Sequence, residues 1–551
     1  MPAKLKQNTP SMISAELLNA EIKSGKDLEC FKRKIAKKYG LPCLKNSNLL
    51  KIYHETLSKK RGKASRSAIL EGVLRKRPTR SLSGVVNVSV LTKPYPCPGQ
   101  CIFCPSQKNI PKSYLAKEPA VQRAVINKFN PYQQTYNRLQ ALQETGHPTD
   151  KVELRVIGGT WSYYPKKYQE WFIAECFRAC NTYKSKVKSQ KSKVQVKIKK
   201  LKILQKQNEK AKCRVVGLSV ETRPDFINTK ELKWLRGLGV TKVELGVQSI
   251  HDKVLTLNQR GHSARQTAEA TKLLKDFGFK VSYQVMPNLY GSTLQKDIAM
   301  FKELFNNPYF KPDYLKIYPL ALVKNTKLYS LYLQKEYKPY SRKQLLKLLV
   351  LAKKYIPRWC RVERVIRDIP SSNIVEGGAS VLNLRESALA ELKKQGSACQ
   401  CIRCREVGNN FNPQEKIFLF RESYKASGGQ EIFLSFENKQ QTKLYALLRL
   451  RLGAKLMPNT SLTPPAIRGA ALIRDLHTYG QMARINNPQG VVISQEAQHK
   501  GLGKKLLAEA EKISKSAGYK KIAVISSVGV RNYYRKLGYR LQNTYMAKTL
   551  A

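Results

Sequence analysis

Acidic residues are scarce in this chain: its 551 residues include 38 Asp and Glu against 101 Lys and Arg, a formal charge of +63. That balance excludes an acidic, solvating protein and points to a polyanionic partner, because counterion release on nucleic acid offsets the self-repulsion of so many cations. An anionic membrane surface or a merely lysine-rich composition are the other readings of charge alone. Long apolar runs are also missing. No stretch approaches the roughly 18 uninterrupted apolar residues that a membrane helix needs, and the opening MPAKLKQNTP lacks the apolar core of a secretory signal. A cytoplasmic protein with no membrane association is expected. A chain this long exceeds one compact core, and the 42% hydrophobic content supports about two to four domains.

Histidine is rare, with six in the chain, whereas cysteine is not, with twelve. Without a secretion signal these are expected to be thiols and metal ligands rather than disulfides. Six of them fall in two tight clusters. The first, Cys97, Cys101 and Cys104 in the order C-x3-C-x2-C, directly follows the strand-like GVVNVSVL. Three thiolates so spaced hold three irons of a [4Fe–4S] cubane and leave the fourth iron open to chelate S-adenosylmethionine (SAM). A structural zinc site is the alternative, but zinc usually takes four ligands and His147 lies over forty residues away. The second cluster, Cys399, Cys401 and Cys404, has Arg403 and Arg405 on either side of its last cysteine and suits a structural zinc site whose fourth ligand the motif does not supply. A second iron–sulfur cluster is the other reading.

Residues 1–80 read as basic helices, with 20 Lys and Arg against six acids and with Tyr39 and Tyr53 interleaved, the makings of a tRNA-binding region. Residues 81–395 alternate six candidate strands (GVVNVSVL, KVELRVIGG, RVVGLSVETR, KVELGVQS, KVSYQVMPN and YLKIYPL) with helix-length segments, the rhythm of βα units around a parallel sheet. Polar residues follow each strand, among them Gly158, Gly159 and Thr160, and C-terminal strand ends form the active face of such folds. The glycines would let backbone approach the methionine part of SAM. Residues 184–212 carry 12 lysines and one acid and are expected to be a mobile surface insertion. Residues 396–425 read as a Cys-rich linker, and 426–551 as a mixed α/β domain.

In that last domain, Gln498-x-x-Gly501-x-Gly503 opens the helical KLLAEAEKI, and its N–H groups converge as a pyrophosphate would require. With KKIAVISSVG and RNYYRKLGY it looks like the acetyl-CoA core of the GNAT acetyltransferases. A tyrosine of the last motif would bond the CoA sulfur or act as an acid. Packing at the end of the sheet suits Tyr539 better than Tyr534.

The whole sequence closely resembles the catalytic subunit of Elongator in its stand-alone prokaryotic form. The matching stretches include TRSLSGVVNVSVLTKPYPC, GHPTDKVELRVIGGTWS, GLSVETRPD, KVELGVQSIHDKVLTLNQRGH, RVIRDIP, CIRCREVG, IRDLHTYG, QHKGLGKKLLAEAEKI and KIAVISSVGVRNYYRKLGY. The resemblance implies an α/β chain: a radical SAM partial (β/α)6 TIM-like barrel, a zinc linker and a GNAT domain. It implies [4Fe–4S] on Cys97, Cys101 and Cys104, and zinc on Cys399, Cys401 and Cys404. Acetyl-CoA would lie against Lys151, Asp475, Leu476, His477, Thr478, Leu502, Gly503, Lys504 and Tyr534, with Lys151 and Tyr534 closest to the chemistry and Lys151 bridging two facing sites. The implied reaction takes hydrogen from the methyl of acetyl-CoA with a SAM-derived radical and builds a 5-carboxymethyl group on uridine 34 of tRNA. It needs an electron donor and no obligatory Elongator accessory subunits. Gln284 and Asn288 replace a histidine and an aspartate common in the family. A lysine acetyltransferase with a structural iron–sulfur domain is the rival reading, with Glu496 the one acid near the CoA turn. A nucleic-acid-binding scaffold that has kept both folds is a third.

Overall fold

The computed structural model describes residues 9–59, 68–75, 81, 83–184, 199–377, 383–408, 412, 414–453, 463–480 and 501–550. Four helices come first, Thr9–Asn19, Gly25–Tyr39, Asn46–Lys59 and Ala68–Leu74. They share a core of their own built on Ile13, Leu17, Ile35, Leu49 and Leu74. Ser24 and Asp27 start the second helix as a reciprocal capping box, and Gly40 ends it in the left-handed conformation. Tyr53 is 0% exposed within this core, and Tyr39 donates its hydroxyl to Glu16 at 2.6 Å.

A second core is organised by a parallel sheet. Its strands are β1 (Val85–Leu91), β2 (Lys151–Ile157), β3 (Arg214–Thr222), β4 (Lys242–Gln248), β5 (Lys280–Val285) and β6 (Tyr314–Ile317). The short β7 (Ala321–Val323) lies outside it, β8 (Arg361–Val365) completes it, and β9 (Ile374–Gly377) pairs with β7. The order is β1-β2-β3-β4-β5-β6-β8. All six expected strands are present, and β8 is a seventh. Alternate residues of β2 are buried (Val152, Leu154, Val156), while Lys151, Glu153 and Arg155 project to the opposite, half-buried face. Arg155 nevertheless reaches Glu363 of β8 at 3.2 Å, although a flat sheet would set these strands roughly 24 Å apart at 4.8 Å per step. The sheet is therefore curled into a half-barrel, and that polar face is its lumen.

The expected lysine-rich insertion divides in two. Residues 185–198 lie outside the described residues. The second half, Lys199–Asn208, is a helix whose Leu201 and Leu204 are buried. Asn208 donates to Asn181 at 2.7 Å and accepts from the Val215 amide at 2.8 Å. This part is integral structure rather than a mobile surface insertion. Leu201, Leu204, Gln205 and Asn208 line one helical face, and lysines occupy the remainder.

The remaining strands are β10 (Ile417–Ala426), β11 (Gly429–Asn438), β12 (Leu444–Leu452), β13 (Ala471–Thr478), β14 (Lys521–Val524), β15 (Arg540–Gln542) and β16 (Tyr545–Thr549). They form a sheet of order β10-β11-β12-β13-β14-β16-β15 in which β13 and β14 are the parallel pair. Its first strand lies inside the segment 396–425. This sheet packs under the N-terminal ends of the half-barrel strands. Arg474, 1% exposed, pairs with Asp313 and Glu431, and Arg451 bonds Asp276 at 2.5 Å. Ser527 donates to the Val215 carbonyl at 2.9 Å, and Tyr545 donates to that of Phe277 at 2.9 Å.

Candidate functional site

Cys97, Cys101 and Cys104 occupy the loop after β1 at the C-terminal rim of the half-barrel, each partly buried. The amide of Cys104 bonds the Cys101 carbonyl at 3.1 Å, and Ile102 is tied to Asn258 and Leu328 by main-chain bonds of 3.3 and 3.0 Å. Among the described residues, the trio of metal-ligating atoms within 4.8 Å of one another belongs to the linker cysteines. The rim cysteines are spread wider. A cubane holds its thiolates further apart than one zinc ion does at about 2.3 Å per Zn–S bond, so their spacing suits a cluster. Burial and the charge of Cys101 push the Cys104 thiol up to about 12, so ligation must displace a proton.

The neighbouring turn completes a cradle. Gly158 and Gly159 have φ of +117° and +75°, and a Cβ at 158 would collide with Thr92 Oγ1, which donates to the Gly158 carbonyl at 2.7 Å. Tyr164 ties this turn to the cysteine loop by donating to the Lys93 carbonyl at 2.8 Å. Thr160 is buried beside it. Across the rim, Glu221 accepts from Tyr114 at 3.2 Å and from Gln284 at 3.0 Å. Gln284 therefore fills the family's histidine position as a neutral donor to a carboxylate. Asn288 is structural: its side-chain oxygen accepts from the Tyr340 amide at 2.6 Å.

Two arginines that the sequence did not single out as site residues border the same loop. Arg260 Nη1 donates to Cys101 Sγ at 3.4 Å. Arg223 grips Asp225 through two bonds of 2.9 Å, and its Nη1, buried without a partner, stands over Gly99. An open backbone cradle, three thiols and a buried guanidinium N–H without a partner together fit an anionic cluster with a bound amino acid. The only sequence signal was the position of Arg223 just after β3; Arg260 comes later, beyond the helix Asp252–Leu257 that follows β4.

Below the rim the lumen is ionic. Lys242 contacts Glu153 at 3.2 Å, Glu244 at 3.4 Å and Glu363 at 2.8 Å, and Lys316 pairs with Glu244 and, at 3.5 Å, with Glu221. Opposing charges hold Glu153 and Glu244 well below the usual carboxylate range despite burial. Lys151 stands at the far mouth of this lumen, at the start of β2. Seven residues at about 3.3 Å each put it roughly 23 Å from Gly158. Lys151 thus belongs to one end of the lumen and the cysteine loop to the other.

The second sheet meets that far mouth. β13 pairs with β14 only over Ala471–Ile473 and then departs, following β12 alone to Thr478. The wedge between β13 and β14 leaves the Asp475–His477 edge without a strand partner among the described residues. Asp475 accepts from Tyr314 at 2.6 Å and lies 3.7 Å from Lys280, joining the wedge to the lumen. Burial holds the His477 imidazole below its ordinary range. Gly501, in the left-handed conformation, precedes the helix Leu502–Ser516, whose N-terminus has no side-chain cap, leaving amides to meet a phosphate. A Cβ on Gly503 would lie 3.1 Å from the Tyr533 hydroxyl, which brings Leu502, Gly503 and Lys504 beside the Tyr533–Tyr534 pair and Thr478. Burial, then the charges of Tyr533 and Asp475, raise the Tyr534 phenol far above its usual value, so it stays protonated as a donor. Tyr539 is packed at 1% exposure and donates to Glu511 at 2.8 Å. Gln498 and Glu496 lie outside the described residues.

In the linker, Cys399 and Cys401 are buried, and the three sulfurs converge as one metal ion requires. Lys353 Nζ is 3.8 Å from Cys399 Sγ. No fourth His, Cys, Asp or Glu joins the group among the described residues.

Comparison with known proteins agrees with this division. Residues 95–304 match the radical SAM superfamily, 312–394 the radical SAM C-terminal domain, and 466–541 the acetyltransferase (GNAT) domain. The tRNA uridine(34) acetyltransferase of Methanocaldococcus infernus is 43% identical over 518 residues, covering 92% of this chain and 91% of that protein. Elongator complex protein 3 of Homo sapiens is 36% identical, covering 100% of this chain and 98% of its own length. A solved structure of the M. infernus Elp3 with residues 1–46 deleted aligns with a TM-score of 0.71 at 40% identity, covering 85% of this chain and 100% of that one. The chain, with its radical SAM half-barrel and C-terminal GNAT fold, belongs to the family of the tRNA uridine(34) acetyltransferases and Elongator complex protein 3.

Proposed function

We propose that this protein modifies uridine 34 of tRNA, using SAM and acetyl-CoA to build a 5-carboxymethyl group, as a tRNA carboxymethyluridine synthase. The observation that carries the reading is the half-barrel itself: a cysteine loop with a glycine cradle at one end, and an opened acyl-CoA-type strand wedge at the other. The names of the relatives supply the substrate, and the basic N-terminal residues 1–80 suit its phosphates.

Cys97, Cys101 and Cys104 would hold a [4Fe–4S] cluster, which would supply the one-electron chemistry toward SAM that an unactivated methyl demands. The chain's own residues do the rest. Gly158, Gly159 and Thr160 give backbone access to the amino-acid part of SAM. Asp475, Leu476, His477 and Thr478 offer an open strand edge to the pantetheine arm, while Leu502, Gly503 and Lys504 receive its pyrophosphate. Tyr534 holds a proton near the thioester, and Lys151 places a cation where the lumen opens toward it. Cys399, Cys401 and Cys404 hold zinc and fasten the linker between the two sheets. The protein acts in the cytoplasm with an external electron donor and no obligatory accessory subunits.

The test is anaerobic reconstitution with reductant, SAM, acetyl-CoA and tRNA, scored for tRNA-dependent 5′-deoxyadenosine and for carboxymethyluridine. Product is expected from the wild type and at least about 1000-fold less from Cys101→Ala, in line with the large barrier a radical must remove. Undiminished product from that variant sinks the radical chemistry. Acetylated peptide without modified tRNA would support the lysine acetyltransferase instead.

A further inference from the structure

The cysteine loop is bordered by two buried cations with unspent hydrogen-bonding capacity. Arg260 is 7% exposed and Arg223 5%. Arg260 Nη2 is anchored on the Gly246 carbonyl at 2.5 Å, which aims Nη1 at Cys101 Sγ. Its Nε has no partner, and neither does Arg223 Nη1. Asp225 neutralises Arg223 at 2.9 Å, but among the described residues Arg260 enters no ion pair. A buried guanidinium without a counterion is costly, and among the described residues the Gly246 carbonyl and the Cys101 sulfur are the hydrogen-bond acceptors that meet it.

Three glycines make the arrangement possible. A Cβ on Gly246 would sit 2.7 Å from Arg260 Nη2, one on Gly261 3.0 Å from Arg223 Nη2, and one on Gly99 would overlap Arg223 Nη1. Gly99 lies between two of the cysteines. The point where its Cβ would be is also 3.7 Å from Cys101 Sγ. Arg260 is therefore held against the Cys101 thiol and Arg223 over the Gly99 backbone beside it, through backbone positions that admit no side chain.

We propose that Arg260, assisted by Arg223, is a positioning residue that sets the reduction potential of the cluster. Its N–H donates to the Cys101 thiolate, and its buried charge favours the more negative, reduced cluster. Hydrogen bonds to cluster sulfurs and local charge are the levers by which a protein tunes such a potential. The inference rests on the reading of Cys97, Cys101 and Cys104 as cluster ligands and adds to it a function for groups that are not ligands.

The experiment is a redox titration of the reconstituted full-length protein, without SAM, followed by the paramagnetic resonance of the reduced cluster, after iron and sulfide content have been measured. Arg260→Gln is expected to load iron and to be about tenfold less reduced than wild type at a fixed reductant potential, which is about 59 mV for one electron. Arg260→Lys should fall between the two, and Arg223→Gln should shift in the same direction. Arg265→Gln removes an equal charge that is 88% exposed and paired with Glu269, and should leave the midpoint alone. A loaded Arg260→Gln protein with the wild-type midpoint overturns the proposal, as does an equal shift in Arg265→Gln. If Arg260→Gln takes up no iron, wild-type midpoints in Arg260→Lys and Arg223→Gln overturn it. Failure of the wild type itself to load iron sinks the cluster reading, and the collar with it; equal midpoints in loaded proteins sink the collar alone.

Discussion

Gly158 combines two restrictions that no other residue type satisfies. Its φ of +117° lies where L side chains are strained, and the space a Cβ needs is filled by Thr92 Oγ1. Gly158→Ala should cost about 1–3 kcal/mol in stability and displace the Thr92–Tyr164 tie, with at least tenfold weaker SAM retention by equilibrium dialysis of the reconstituted protein. Unchanged SAM binding would remove this turn from the site. Lys275 poses a different residue-scale problem. It is 0% exposed and donates to the Lys311 carbonyl at 2.7 Å, and burial pushes its ammonium down to about 8 against 10.5 when free. Between those values the unfolded chain binds the proton and the folded one does not, so stability rises with pH across that window and is pH-independent from this source below it. Relative to Lys275→Met, wild type should gain up to about 3 kcal/mol between pH 8 and 10.5, measured by urea unfolding at each pH. The cysteine trios and the Gly158–Gly159 turn were legible in sequence because their spacing is local. Arg223 and Arg260 were not, because their role depends on two loops meeting over a third.

At the scale of elements, strands declared themselves where one face was apolar and the other mixed, as in β2. β8 hid because its RVERV places Arg361 and Glu363 among the ionic groups of the half-barrel and reads as a charged segment. β10 hid because an edge strand exposes much of both faces, with Phe418 and Leu419 left to solvent. The helix Lys199–Asn208 hid behind its lysines. The one acid of that segment, Glu209, bonds Arg531 at 3.1 Å and Arg535 at 2.6 Å and its carbonyl accepts from Asn532 at 3.0 Å. This helix is therefore the brace between the half-barrel and the GNAT-type sheet. Glu209→Ala strands the buried Arg531 charge and should cost about 3 kcal/mol, the low end for breaking a buried pair because Arg535 is partly solvated. Chemical unfolding checks it; a change under about 1 kcal/mol would mean that the brace is carried by packing alone.

Across the whole molecule the two cofactor ends are held apart and held rigidly. Arg474, Arg449 and Arg451 are all buried against Asp313, Asp276 and Glu431, so the second sheet is fixed beneath the lumen. Opening along that seam would strand several charges, each at a cost of several kcal/mol. The N-terminal helices differ: their core is separate from the main one, and their region carries 20 Lys and Arg against six acids. Their contribution should consequently be electrostatic and separable. Removing residues 1–80 should leave acetyl-CoA affinity unchanged, because β13 and the helix Leu502–Ser516 do not depend on them. It should weaken tRNA binding and flatten the dependence of log affinity on log salt by roughly 0.7–0.9 for each phosphate that is no longer neutralised. A titration of wild type and truncated protein with tRNA over a range of salt reads both quantities together. A parallel drop in affinity at unchanged slope would mean that the region orders the barrel instead of meeting phosphates. No change in either would place the tRNA surface on the half-barrel and the GNAT-type sheet.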